Sequence, residues 1–449
     1  MDLDTRLQNV TVIGAGGKMG SGIATLVLTE MMRLSLMPEH KDKKFRLSLV
    51  DVSDELLEGL RGYLRDQLMK NAEKSCIALR ACYADKPNII ENYDVIDHYV
   101  ESAMKIVRTG SFFEMAKDSH LVFEAIVENE KIKIKVFKQL KKLCGPETFF
   151  FTNTSSIPIK TLDVGAGLDG RIIGFHFYNP PVVQKLAELI SSDKTRPDLV
   201  EISKEIAKRL RKTIVPSNDV AGFIGNGYFM RDGLFAIDKV KELKKELGYA
   251  GAVYALDKAG RDFLIRPMGI FQLIDYVGID VFQLILKVMN GYLPGEGLHS
   301  DLIDKMMKLG VKGGQRPDGS QKDGFLKYEK GRPVAIFDPS KKEYIPYNME
   351  GWTGKVEKYL GPPPAGNMPW KALTADRRKD DKLRPYFEAL RKADTKGAQL
   401  ARAYLARFRE IGEKLIKMEI AASPDDVNNV ITLGFYHLYG PISPYTEVK

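Results

Sequence analysis

The stretch that decides the fold is NVTVIGAGGKMG, residues 9–20. Its first five residues form an apolar, β-branched run that predicts a buried strand, and a glycine cluster followed by a helical pattern comes directly after it. Gly14, Gly16 and Gly20 form a GxGxxxG pattern, one residue longer than GxGxxG, with Gly17 as an additional glycine. Glycines at such a strand–helix turn permit a tight turn, backbone contact with a pyrophosphate and close helix packing. The residues expected to line this dinucleotide site are Gly14, Gly16, Gly17, Met19 and Gly20.

A second buried strand, RLSLVDVS at 46–53, contains Asp51 at its end. A carboxylate there can accept hydrogen bonds from the adenosine ribose hydroxyls and would repel a 2′-phosphate, so Asp51 favours NAD. The usual distance from glycine loop to acid is about 20 residues. The longer interval here predicts that MMRLSLMPEHKDKK, residues 31–44, is an insertion.

Further strand-like runs occur at 120–128, 148–156 and 171–179, with helical patterns between them. This alternation predicts an α/β, Rossmann-type doubly wound parallel sheet. Beyond Val215 and Pro216, long amphipathic helical stretches broken at Gly248 and Gly278 predict all-α C-terminal domains. The expected organisation is a Rossmann domain at 1–216, a helical domain at 217–338, a Gly- and Pro-rich linker at 339–395 and a second helical repeat at 396–449.

His176 lies in GFHFYNPP, where an Asn-Pro-Pro turn ends a strand. Ligands of open α/β sheets bind at the carboxyl ends of strands, so this histidine is well placed for chemistry. Twelve residues later, Glu188 lies in the strand-like run KLAELI, which can return past His176. A carboxylate on one imidazole nitrogen would orient the ring and leave the other nitrogen to accept an alcohol proton.

Composition excludes several classes of protein. The chain has 449 residues with 68 basic and 59 acidic side chains, a net charge of +9. Residues 1–200 carry equal numbers of both signs, and the positive excess lies around Gly- and Pro-rich segments, which indicates a solvated connector and no nucleic-acid partner. Cys76, Cys82 and Cys144 show no metal-ligand spacing, so we expect no metal and a reducing, cytoplasmic location. Neither a signal peptide nor an apolar run long enough for a membrane span is found.

Seven segments together resemble the 3-hydroxyacyl-CoA dehydrogenase family. They occur in the family's order over roughly residues 9–330: VIGAGGKMGSGIA, VFEAIVENEKIK, NTSSIPI, GFHFYNPPVVQKLAELI, DVAGFIGN, RPMGIFQLIDYVG and KLGVKGGQ…DGFLKY. The resemblance implies an oxidoreductase of fatty acid metabolism that uses NAD to oxidise (S)-3-hydroxyacyl-CoA reversibly to 3-ketoacyl-CoA.

The resemblance also implies roles for individual residues. His176 matches the catalytic base and Glu188 its acidic partner, while Ser155 and Asn226 match polar groups near the substrate's 3-oxygen and thioester. Residues that match the cofactor side are Glu128, Lys133, Asn179 and Lys312. Lys74 falls where the family places a lysine for the CoA phosphates.

The chain departs from the family pattern in four places. The glycine loop is one residue longer, Gln67 stands where a serine is usual, and the segment 75–119 is longer than the family norm. The fourth departure is the tail from 339 onward, whose segment EIAASPDDVNNVITLGFYHLYGP resembles the family's helical domain a second time. Because short members dimerise through that domain, this chain is expected to be a monomeric pseudo-dimer or a homodimer.

Two other functions are compatible with these residues. One is a dehydrogenase of a non-CoA hydroxy acid on the same scaffold, and the other is a non-catalytic dinucleotide-binding protein. The long segments at 31–44 and 75–119 point to an unusual acyl group.

Overall fold

A computed structural model describes residues 1–316 and 319–447. The chain divides into two compact units, and the division falls after Asp219, close to the predicted boundary at 216. Each unit has a hydrophobic core of its own type, a sheet covered by helices in the first and packed helices in the second.

The first unit is built around an eight-stranded sheet in the order β3-β2-β1-β4-β5-β6-β7-β8. The strands from β3 through β6 run parallel, β7 runs antiparallel to β6, and β8 is parallel to β7. The strands are β1 Asn9–Ile13, β2 Arg46–Val50, β3 Val107–Gly110, β4 Leu121–Glu124, β5 Phe149–Thr152, β6 Ile172–Phe177, β7 Leu186–Ser191 and β8 Thr213–Asn218. The predicted doubly wound sheet is therefore confirmed, and the six strand-like runs coincide with β1, β2, β4, β5, β6 and β7.

Helices cover this sheet because its central strands are apolar and buried on both faces, as in parallel sheets generally. All four residues of β4 and of β5 are buried, for example. The helices of the first unit are α1 Leu3–Arg6, α2 Lys18–Ser35, α3 Asp54–Cys82, α4 Asn92–Ile106, α5 Glu130–Leu143, α6 Ile159–Ala166 and α7 Pro197–Arg209.

The two long segments of the sequence have a simple structural explanation. Residues 31–44 complete α2 and add one turn of 3₁₀ helix, Pro38–His40, before β2. Residues 75–119 supply the end of α3, all of α4 and the edge strand β3. The α3–α4 pair packs through an apolar stripe that includes Leu64, Leu68 and Val95.

The strand order places two loops side by side. β1 pairs with β2 on one side and with β4 on the other, so the chain reverses its direction of winding between β1 and β4. Ligands of open α/β sheets bind at such a switch point, beyond the carboxyl ends of the strands. The glycine loop after β1 and the turn after β4 therefore meet at one edge of the sheet.

The second unit is mainly helical, as predicted. Its helices are α8 Phe223–Lys258, α9 Ile270–Val277, α10 Ile279–Tyr292, α11 Asp301–Lys308, α12 Trp352–Leu360, α13 Trp370–Thr374, α14 Lys379–Lys392, α15 Lys396–Lys417 and α16 Pro424–Gly434. Gly248 has φ of 68° and ψ of 172° and breaks α8 into two helices, and Gly278 separates α9 from α10 with φ of 111°. The predicted breaks at both glycines are confirmed.

One part of the second unit differs from the prediction. A three-stranded antiparallel sheet in the order β11-β10-β9 occupies β9 Leu326–Glu329, β10 Arg332–Asp338 and β11 Glu343–Pro346. The segment 339–395, predicted as a linker, contains β11 and α12–α14, and its buried side chains include Val356, Leu360 and Leu383. Its Gly and Pro content resembles that of a linker, but these apolar residues anchor it to the core.

Two segments of the second unit have matching local geometry. Asp257 Oδ1 accepts a hydrogen bond of 2.8 Å from the Phe271 backbone N–H. Asn428 Oδ1 accepts one of 3.0 Å from the Ile442 N–H. In both pairs the acceptor precedes the donor by the same number of residues along the chain. Each of the two segments therefore ties a helix to the residues that follow it in the same way.

Other features recur at the offset along the chain that relates Asp257 to Asn428. Ile265 and Tyr436 both have positive φ, 53° and 57°. A Cβ atom on Gly269 would overlap the Asp257 side chain, and one on Gly440 would overlap the Asn428 side chain. At this offset, α15 corresponds in sequence to the part of α8 before Gly248, and α16 corresponds to the part after it.

Candidate functional site

The glycine loop has the geometry of a nucleotide-binding turn. Gly14 has φ of 77°, and a Cβ there would lie 2.6 Å from the Ala125 carbonyl oxygen of the turn after β4. A Cβ on Gly16 would lie 2.6 Å from Leu56 Cβ. Both positions therefore require glycine, and the backbone is left bare where a pyrophosphate would approach.

The additional residue in the loop does not disturb its packing. Gly17 caps α2, which begins at Lys18, and its N–H donates to Gly14 O at 3.2 Å. Gly20 is buried, and a Cβ on it would overlap the Gly14 carbonyl. The third glycine thus keeps helix and strand in close contact, and Met19 is half-buried against the core.

Asp51 has two connections to this loop. Its Oδ2 accepts a hydrogen bond of 2.9 Å from the Gly16 N–H, and its Oδ1 accepts one of 3.3 Å from the Ser53 N–H. The half-buried carboxylate therefore shapes the loop and presents negative charge at the end of β2. This arrangement fits the ribose of an unphosphorylated dinucleotide.

Lys133 and Glu124 form a buried ion pair at the turn that follows β4. Lys133 Nζ donates to Glu124 Oε1 at 2.6 Å, and the two side chains are 1% and 0% exposed. Glu124 also accepts from the Ile126 N–H at 2.7 Å and from the Thr152 hydroxyl at 2.6 Å. Burial alone would lower the pKa of Lys133, but the carboxylates of Glu124 and Glu128 outweigh it and raise that pKa.

Glu128 organises the turn that follows β5. Its Oε1 accepts hydrogen bonds from the Thr154 hydroxyl at 2.7 Å, from the Ser155 N–H at 2.9 Å and from the Ser156 N–H at 2.8 Å. Burial would raise the pKa of Glu128, but Lys133, 3.5 Å away, and these donors lower it. The structure therefore brings Glu128, Lys133 and Ser155 together in one network.

His176 and Glu188 are directly opposite each other on β6 and β7. His176 Nδ1 lies 3.1 Å from Glu188 Oε1, and the carboxylate is completely buried. Tyr178 donates its hydroxyl proton to the same oxygen at 2.7 Å. The adjacent Asn153 Oδ1 accepts a hydrogen bond of 2.9 Å from the Phe177 N–H and so attaches this end of β6 to the β5 turn.

The remaining predicted site residues lie elsewhere. Asn179 follows β6, and Lys74 is exposed on α3. Asn226, in the first turn of α8, and Lys312, exposed after α11, belong to the second unit.

Glu124 and Tyr178 were missed by the sequence analysis. Glu124 is the last residue of β4, and an acid at the end of an otherwise apolar strand is a recognisable signal. Tyr178 follows His176 by two residues, a spacing that places both side chains on one face of an extended chain.

Metal-ligand clusters and membrane-spanning helices are both absent from the described residues. Among residues 1–316 and 319–447, no three His, Cys, Asp or Glu side chains are grouped so that they could hold a metal ion. In the same ranges, no helix has the length and apolar character needed to cross a membrane.

Two family models match this chain. The NAD binding domain of 3-hydroxyacyl-CoA dehydrogenase matches residues 9–220, and the C-terminal domain of the same family matches residues 222–328. A probable 3-hydroxybutyryl-CoA dehydrogenase of Deinococcus radiodurans is 31% identical over 318 residues, which cover 71% of this chain and 99% of that protein. The human mitochondrial hydroxyacyl-coenzyme A dehydrogenase is 29% identical over 332 residues, covering 72% and 92%.

Two solved structures share the fold of this chain, and one of them reaches its C-terminal part. M. tuberculosis FadB2 has a TM-score of 0.56 and 27% identity, with coverage of 72% of this chain and 99% of that chain. A 3-hydroxybutyryl-CoA dehydrogenase from Escherichia coli has a TM-score of 0.63 and 21% identity, with coverage of 97% and 90%. The second of these shows a shared fold over nearly the whole chain.

Proposed function

Because the chain belongs to the 3-hydroxyacyl-CoA dehydrogenase family, we propose that it oxidises (S)-3-hydroxyacyl-CoA reversibly to 3-ketoacyl-CoA, with His176 as the base. NAD is the cofactor, and when bound it supplies the acceptor for the hydride that leaves C3. The observation that carries the proposal is the in-register His176–Glu188 pair at the carboxyl end of β6.

In this proposal His176 takes the hydroxyl proton of the substrate on Nε2. Its Nδ1 side faces the Glu188 carboxylate, which orients the ring and offsets the positive charge that develops on it. Glu188 is buried away from solvent, so its interaction with the imidazolium is weakly screened. Proton removal and ring orientation are thus assigned to two neighbouring strands.

The cofactor residues act mainly through the backbone. The glycine loop approaches the pyrophosphate, and Asp51 accepts hydrogen bonds from the ribose hydroxyls. Glu128 and Lys133 hold the turn that carries Ser155. Asn179 and Lys312 remain proposed cofactor contacts on the basis of the family resemblance.

Substrate binding is assigned to three residues. Ser155 and Asn226 would hydrogen-bond the 3-oxygen and the thioester carbonyl and so orient C3 for hydride transfer. The exposed Lys74 on α3 would contact the CoA phosphates. In the second repeat, the residue that corresponds to Asn226 is Gly397, where a Cβ would overlap the Phe263 ring, so this copy is assigned no substrate role.

The proposal predicts that the purified protein consumes NADH when given acetoacetyl-CoA. The assay follows the absorbance of NADH and is repeated with the free 3-keto acid in place of the thioester. Turnover of the thioester with little turnover of the free acid supports an acyl-CoA enzyme. Activity on the free acid alone would favour the non-CoA hydroxy acid alternative, and inactivity with both would favour a binding protein.

We further propose that the chain is a pseudo-dimer that needs no second subunit. α15 packs on α8 within the second unit, with ring centroids of Tyr228 and Phe408 5.3 Å apart and those of Phe235 and Tyr404 5.1 Å apart. In this arrangement the second copy covers the surface that short family members use to dimerise. Light scattering is expected to give the mass of one chain, and a stable dimer would contradict the proposal.

A further inference from the structure

Tyr178 is placed to act on the His176–Glu188 pair. His176 is the fifth residue of β6, and Tyr178 follows the last residue of that strand. Side chains two residues apart in an extended chain lie on the same face. Their ring centroids are 5.0 Å apart, and both side chains reach the same atom, Glu188 Oε1.

The tyrosine is a permanent donor to this carboxylate. Burial, followed by the charge of Glu188, raises the pKa of Tyr178 well above its ordinary value, so its hydroxyl keeps its proton over the whole working range. An O–H donor at 2.7 Å from a carboxylate oxygen forms a strong, charge-assisted hydrogen bond. Oε1 therefore shares its negative charge between two donors.

Two neighbours of the pair carry no titratable group. Val215 is in register with Glu188 on β8, and Asn153 from the β5 turn contacts the backbone of β6; neither titrates. The charged residues of the adjoining turn, Glu128 and Lys133, are paired with each other. The Tyr178 hydroxyl donates to the same Glu188 oxygen that faces His176 Nδ1.

We propose that Tyr178 is a positioning residue of the reaction: its hydroxyl holds the Glu188 carboxylate toward His176 and limits the negative charge that this carboxylate offers to the ring. The inference rests on the proposed function, in which His176 exchanges a proton with the substrate. With Tyr178 present, Glu188 Oε1 is shared between the tyrosine hydroxyl and the imidazole, so the ring does not receive its full charge.

The test is Tyr178→Phe, which keeps the ring and removes only the hydroxyl. Without this donor, Glu188 would hold the imidazolium more firmly, so His176 would stay protonated to higher pH. Oxidation needs the neutral ring, and the acidic limb of its kcat/KM profile is expected to move upward by about half a unit to one unit. Reduction needs the imidazolium, and its alkaline limb is expected to move in the same direction.

Tyr386→Phe is the matched control. Tyr386 is a buried tyrosine of the second unit whose hydroxyl donates to the Phe263 carbonyl at 2.8 Å. The variant therefore also loses one buried tyrosine hydroxyl, but at a position distant in sequence from His176 and Glu188. This variant should leave both limbs in place. If Tyr178→Phe lowers all rates by one factor with no movement of either limb, the tyrosine has only a structural role and the inference is wrong.

An NMR titration of His176 separates this inference from the proposed function. The ring signal is assigned by its loss in His176→Ala, and its titration midpoint is compared between the wild type and Tyr178→Phe without any substrate. A higher midpoint in the variant supports the inference even if acyl-CoA is not turned over. Equal midpoints would overturn it, whatever the enzyme's substrate.

Discussion

Replacing His176 by alanine is expected to lower kcat by about 10²- to 10⁴-fold, the range that a positioned general base contributes. In the proposed reaction, Nε2 of the imidazole accepts the substrate proton. Neither Glu188 nor Tyr178 has a ring nitrogen that could accept this proton in its place. The KM for the acyl-CoA is expected to change much less, because the ring does not hold the CoA moiety. Steady-state rates with acetoacetyl-CoA and NADH measure both quantities.

His299→Ala is a suitable control for this experiment. His299 is 56% exposed and pairs with Asp301 in the second unit. Its removal should change kcat by less than about twofold, as expected for an exposed group outside the chemistry. If His176→Ala kept the wild-type rate while folding normally, both the mechanism and the assignment of the site would be refuted.

Lys133→Met is expected to destabilise the first unit by about 3–5 kcal/mol, because it leaves a buried carboxylate without its cation. Glu124 is completely buried and Glu128 is 14% exposed, so solvent compensates little. For a unit of this size, the loss corresponds to a fall in the thermal midpoint on the order of 10 °C. Calorimetry or circular dichroism measures the shift, which should affect only the transition of the first unit.

Lys131→Met tests the same substitution two residues away. Lys131 is exposed on the same helix, α5, so its loss should change stability by no more than about 0.5 kcal/mol. An equal effect of the two substitutions would show that the Lys133–Glu124 pair contributes nothing specific. Because the network also holds the Ser155 turn, Lys133→Met should raise the KM for the substrate at temperatures where the protein is folded.

Local sequence patterns were sufficient for most of the first unit. The apolar runs and the glycine loop predicted the parallel sheet, since buried parallel strands need continuous apolar stretches and the turn needs glycine. The small sheet β9–β11 was missed, because its strands are short and LKYE and EYIP carry little apolar alternation. The sequence also failed to predict that residues 339–395 fold into regular elements. The segment is rich in glycine and proline, and its few buried residues, such as Leu360, form no clear pattern among them.

The candidate site shows the same division. His176 and Glu188 could be paired from the strand pattern, and the structure places them in register. Glu128 and Lys133 were assigned to the cofactor side by resemblance, and the structure shows that they hold the Ser155 turn through a buried network with Glu124. No local pattern predicts that network, because its members come from β4, the turn after β4, α5 and the turn after β5.

By itself, the sequence determined the kind of fold, the dinucleotide loop and the residue types available for proton transfer, since each of these depends on neighbours along the chain. Only the tertiary structure decided which atoms meet. Strand pairing brings Glu188 to His176 and adds Tyr178 as a second donor to one oxygen. Such convergence depends on register and on the burial of charge, and both arise from contacts between segments that are distant in sequence.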